Sequence, residues 1–123
     1  DNLKYFKLNG IKAYGSYNKW KDDVANAILD YNIGYSNNVI ILTTHNTFYS
    51  KNFRNIIQMI KDKILLIADE VHGIGSPERR KGLIENYAFR IGLSATPTRW
   101  FDDRGTRILK NYFKNTIFEF SLK

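Results

Sequence analysis

Two adjacent carboxylates, Asp69 and Glu70, followed by Val71 and His72, are the residues of this sequence best suited to chemistry. They end an uninterrupted apolar run, Ile64-Leu65-Leu66-Ile67-Ala68. Such a run predicts a strand buried on both faces, as in the middle of a parallel sheet. A buried strand ending in Asp-Glu delivers two negative charges to the carboxyl edge of the sheet, where open α/β proteins bind their ligands. Unpaired, those charges repel, so a cation is expected between or beside them. Magnesium on a nucleotide phosphate suits the place, because it takes hard oxygen ligands and needs only one or two from protein. Taken alone, the motif leaves a plainer reading equally open: a strand that ends in a solvated acidic turn.

A second strand-like run, Phe89-Arg90-Ile91-Gly92-Leu93, lies downstream and ends in Ser94-Ala95-Thr96-Pro97. The two clusters together, each closing a short apolar strand, are far more specific than either half. At these residues the sequence resembles the superfamily 2 helicases and translocases, the DEAD/DEAH-box relatives. Asp69-Glu70-Val71-His72 is similar to their motif II (Walker B) and Ser94-Ala95-Thr96-Pro97 to motif III. The fuller run from Gly92 to Arg99 resembles the branch holding XPB-type repair helicases and restriction-enzyme motor subunits. The resemblance covers roughly residues 38 to 120.

Roles follow from that resemblance for the matched positions. It implies that Asp69 holds Mg²⁺ on the nucleotide through water, and that Glu70 orients and deprotonates the attacking water. His72 is then expected to hydrogen-bond toward motif III or the γ-phosphate, with Ser94 and Thr96 completing the link between nucleotide state and domain closure. Thr43 and Thr44, at the end of the run Val39 to Thr44, fall where motif Ib touches the nucleic-acid backbone. Free N–H groups and hydroxyls at a helix start suit a phosphate, although ordinary capping explains threonine there equally well. His45 has no partner at metal-ligand spacing and is assigned no chemistry.

No Gly-Lys-Ser/Thr occurs in the sequence. Gly10 and Gly15 have the spacing of phosphate-loop glycines, but Ser16-Tyr17 follow where the lysine is needed, so this match is a decoy. The resemblance therefore implies an α/β fold: a parallel sheet flanked by helices, a partial RecA-like (P-loop NTPase) domain lacking its phosphate-loop strand and helix. Residues 1–123 are expected to be the C-terminal part of the first RecA-like domain, with motifs Ib, II and III. The resemblance implies ATP and Mg²⁺ as cofactors, and as partners nucleic acid, DNA in preference to RNA, and the remainder of its own motor. Alone, the fragment is expected to be inactive. Two other functions compete. One is a nucleic-acid-binding module with a vestigial motif II; the other is a Mg²⁺-dependent phosphohydrolase using Asp69, Glu70 and Asp102 or Asp103.

Composition agrees with a single folded domain at most: 123 residues, 43% hydrophobic and 15% aromatic, exceed what a disordered chain carries. A formal charge of +7, from 19 basic and 12 acidic residues, favours polyanionic partners, although lysines mostly decorate solvated faces. Cysteine is absent, which excludes disulfides and cysteine-based zinc sites and fits a cytoplasmic protein. No apolar run reaches membrane-spanning length, and the N-terminus has no signal-peptide pattern.

The elements that must position these groups alternate along the chain. A helix tail over 1–9, a strand over 11–15 and a helix from Trp20 to Tyr31 capped by Asn18 are predicted first. A loop over 33–38 precedes the strand at 39–44 and a helix from Phe48 to Lys61 with Phe53, Ile56, Ile57 and Ile60 on one face. Ser76 and Pro77 predict a helix start, running to about Asn86. Thr106 is read as the cap of a helix over 107–113, after a loop whose Trp100 and Phe101 anchor it to the domain, and a last strand spans 116–120.

Overall fold

The structure, a computed structural model, describes residues 10–15, 19–95 and 103–114. Strands β1 (Gly10–Ala13), β2 (Ile40–Thr43), β3 (Ile64–Ala68) and β4 (Tyr87–Gly92) form two parallel pairs, β1–β2 and β3–β4. Helices α1 (Lys19–Asn32), α2 (His45–Phe48), α3 (Lys51–Ile57) and α4 (Asp103–Phe113) pack against them. The crossover from β3 to β4 carries two 3₁₀ helices, Val71–Gly75 and Arg79–Gly82. Parallel strands need such crossovers, because a tight turn cannot return the chain to the same end of the sheet. Among the described residues no helix is long and apolar enough to cross a membrane.

One hydrophobic cluster joins all of this. Trp20, Val24 and Ile28 recur every fourth residue on α1, so they share one face, which is buried. Trp20 meets Phe53 of α3, with ring centroids 6.2 Å apart, and Phe48 stacks on Tyr87 of β4 at 5.7 Å. Val24, Ile28 and Ile74 are almost fully buried, each worth about 1.5–3 kcal/mol relative to exposure. Helix α1 ends in a Schellman motif: Gly34 takes φ +80°, Tyr35 N–H reaches Asp30 O at 2.8 Å and Gly34 N–H reaches Tyr31 O at 3.1 Å. Asn32 then staples this end to the next layer, donating to Met59 O (2.8 Å) and accepting from Lys61 N–H (3.1 Å).

Several expectations are corrected. Strand β3 is buried on one face only: Leu65 and Ile67 are 52% and 60% exposed, while Ile64 and Leu66 pack on the core. Period-two alternation sends neighbouring side chains to opposite faces, and the described helical layer covers just one of them. The helix expected from Phe48 to Lys61 is shorter: α2 ends at Phe48 and α3 runs only from Lys51 to Ile57, because Ser50 leaves the helical conformation (ψ 147°) and caps α3, accepting from Phe53 N–H at 3.3 Å. The helix expected after Pro77 is a single 3₁₀ segment: Ser76 does accept from Arg79 N–H (3.4 Å), but the segment ends at Gly82, pressed on Phe48. Helix α4 starts at Asp103, so Thr106 lies inside it rather than at its cap. Asn18, Trp100, Phe101, the first helix tail and the strand at 116–120 lie outside the described residues.

Candidate functional site

Strands β3 and β4 run in register, with Ile67 opposite Ile91 and Ala68 opposite Gly92. The hydrogen-bond ladder continues past both ends, through Leu93 N–H to Ala68 O (2.8 Å) and Val71 N–H to Leu93 O (3.0 Å). Parallel strands finish at one edge, so Asp69-Glu70 and Ser94 emerge on a common rim. Thr96 lies outside the described residues.

The chain turns sharply at the carboxylates. Asp69 Oδ1 accepts from Glu70 N–H at 2.9 Å. Glu70 itself sits in the left-handed region (φ 48°, ψ 49°), and its carbonyl accepts from Gly73 N–H at 2.9 Å to open the first 3₁₀ helix. A glutamate there is strained by roughly 1–2 kcal/mol, a strain that concentrates where a turn must aim a side chain. The Glu70 carboxylate is exposed and stands 3.4 Å from His72 Nδ1. The same ring nitrogen is 2.9 Å from Ser94 Oγ, so the acidic turn and the end of β4 touch directly. A hydroxyl both donates and accepts, and therefore keeps this contact in either tautomer of His72.

The end of β2 belongs to the same edge. Thr43 Oγ1 donates to Ala13 O at 2.8 Å, closing the β1–β2 pair. Thr44 is the N-cap of α2, its hydroxyl accepting from Thr47 N–H at 3.3 Å. Both threonines thus carry local structural bonds. The contact that brings this corner to the carboxylates comes from His45, whose Nε2 lies 2.8 Å from Asp69 O. The sequence reading passed His45 over. The signal available was a histidine one residue past a strand-end threonine, with no hint of which strand lay beside it.

Asp69, Glu70, His72 and Ser94 are therefore brought together, and Thr43 and Thr44 sit on a neighbouring corner. Asp103 opens α4 and joins no group of three metal-ligating residues among those described; Asp102 lies outside them. The acidic turn offers hard oxygen donors from two residues, the number a magnesium ion takes from protein when phosphate and water fill the rest of its shell.

The described residues thus form a parallel α/β fold with an Asp-Glu-x-His turn beside a serine strand end. A family model described as "Type III restriction enzyme, res subunit" matches residues 4–99, and the chain belongs to that family, which is related to helicase superfamily 2. No curated protein and no solved structure matches the chain significantly.

Proposed function

We propose that this chain supplies the hydrolytic and coupling groups of an ATP-dependent DNA motor, as the C-terminal part of its first RecA-like domain. The supporting observation is the rim itself: the carboxylate turn after β3 and Ser94 after β4, joined by His72 at 2.9 Å. In this reading Glu70 is the general base. It takes a proton from water as the water oxygen bonds to the γ-phosphorus and the bond to the β-phosphate oxygen breaks. Asp69 would hold a magnesium ion, which would supply charge neutralisation on the phosphate oxygens. His72 and Ser94, with Thr96, report the state of the acidic turn to the strand end that leads toward the nucleic acid. Thr43 and Thr44 present the β2–α2 corner to the DNA backbone. The lysine that grips the phosphates belongs to another segment, since no Gly-Lys-Ser/Thr occurs in these 123 residues.

The complete natural protein tests this. Glu70→Gln should lower DNA-stimulated ATP turnover roughly 10²- to 10⁴-fold while ATP is still bound. The 123-residue chain should show no turnover alone, and steady hydrolysis by it, lost in Glu70→Gln, would refute the shared-site reading.

A further inference from the structure

His45 is the first residue of α2, directly after the capping Thr44 (φ −87°, ψ 160°). Successive carbonyls along a strand point to opposite sides. Ala68 O faces β4 and accepts from Leu93 N–H, so Asp69 O faces away from β4, toward the β2 corner. There the His45 ring supplies the donor at 2.8 Å, and because a carbonyl only accepts, Nε2 carries the hydrogen. The Nδ1–Cε1 edge of the ring lies against Gly73: a Cβ added at Gly73 would come within 3.2 Å of His45 Nδ1 and 3.3 Å of Cε1. Arg79 Nη1 donates to Gly73 O at 3.4 Å and stands 3.4 Å from the same added Cβ. One imidazole therefore bridges the two ends of the Asp69–Gly73 turn, and strained Glu70 sits between those ends. A left-handed glutamate persists only when its surroundings over-determine it.

We propose that His45 is a positioning residue for Glu70: it fixes the shape of the acidic turn and makes the β2–α2 corner and that turn move as one unit. The proposal rests on the ATPase reading of Asp69 and Glu70. His45 does not touch the reacting atoms, and its effect is transmitted through backbone, so it acts on the rate rather than on nucleotide binding. A shift of an ångström in a catalytic group is enough to cost about 10²-fold.

The test compares His45→Phe, which keeps the ring and loses the donor, with His45→Gln, which keeps an N–H. In the complete protein His45→Phe should lower kcat for ATP by roughly ten- to a hundredfold with KM changed less than about twofold, and His45→Gln should recover most of the loss. Amide exchange gives a readout independent of ATP: in His45→Phe the Val71 and Gly73 amides should exchange faster while those of β1 and β2 do not. Wild-type kcat in His45→Phe, or equal losses in both variants with unchanged exchange, overturns the proposal. Should His45→Phe not fold, Gly73→Ala displaces the same ring. Wild-type turnover in that variant overturns the proposal, and a kcat loss with KM kept supports it. A wild-type protein without Glu70-dependent turnover defeats the ATPase reading instead. Exchange then decides for His45: faster turn amides in His45→Phe support the bridge, and unchanged ones remove it.

Discussion

Glu70 combines an exposed carboxylate with a backbone conformation that suits glycine better, and those two properties make separable predictions. Glu70→Gly should raise stability by up to about 1 kcal/mol, the relief of left-handed strain less the added freedom of the unfolded chain. A urea titration reads the sign, and a destabilised variant would show that the turn carries no such strain. If Glu70 is the general base as proposed, ATP turnover by the complete protein should vanish in the same variant, because glycine has no carboxylate. A second residue-scale prediction concerns Asp62. The Tyr31 hydroxyl, donating at 2.6 Å, is the main cause that holds its carboxyl below the ordinary value, followed by the Lys63 amide at 2.7 Å. A folded pKa below the unfolded one means the pair stabilises fully above the unfolded value, about 4, and loses that contribution as pH falls through the folded one. Tyr31→Phe should move the Asp62 titration back up toward the ordinary value, read by NMR. The pair is exposed, so the effect on stability is small and salt-sensitive.

At the scale of elements, the crossover between β3 and β4 is held by close packing rather than by α-helical hydrogen bonding. A Cβ at Gly82 would stand 2.6 Å from Cδ1 and Cε1 of Phe48, whose ring is stacked on Tyr87 and cannot swing away freely. Gly82→Ala should therefore cost about 1–3 kcal/mol, measured by thermal or urea unfolding; a neutral result would show that Phe48 repacks. This explains why the pattern Ser76-Pro77 misled. A helix start signal is local, whereas the end at Gly82 is imposed by a ring from α2. Ser50 works in the opposite sense: its capping bond is local, and Ser50→Ala should cost about 1 kcal/mol through loss of the α3 start. A serine inside an apolar periodicity reads as a tolerated helical residue, so the periodicity hid the break.

Among the described residues, the helices pack on one side of β3–β4 and an apolar sheet surface lies on the other. Leu65, Ile67, Phe89, Ile91 and Leu93 are all substantially exposed. A contiguous apolar patch of this kind drives association. The chain alone should self-associate with rising concentration in sedimentation velocity, and Ile67→Thr with Phe89→Thr should shift it toward monomer without loss of fold, since threonine keeps strand propensity. A wild-type chain that stays monomeric across the soluble range would show that this surface is not adhesive.

Residue order alone specified the bounds of β3, a second strand near β4 (expected at 89–93, found at 87–92), and the carboxylates and serine that follow them. Those features follow from hydrophobic periodicity and from short motifs, which are properties of neighbouring residues. Partners distant in sequence were not readable there. That Ile67 sits opposite Ile91, that His72 reaches Ser94, and that His45 lies under Asp69 depend on which strand ends arrive at the same edge. The same holds for burial: an unbroken apolar run looks identical whether one face or both are covered. Packing of one layer on another settles that, and no window of sequence contains it.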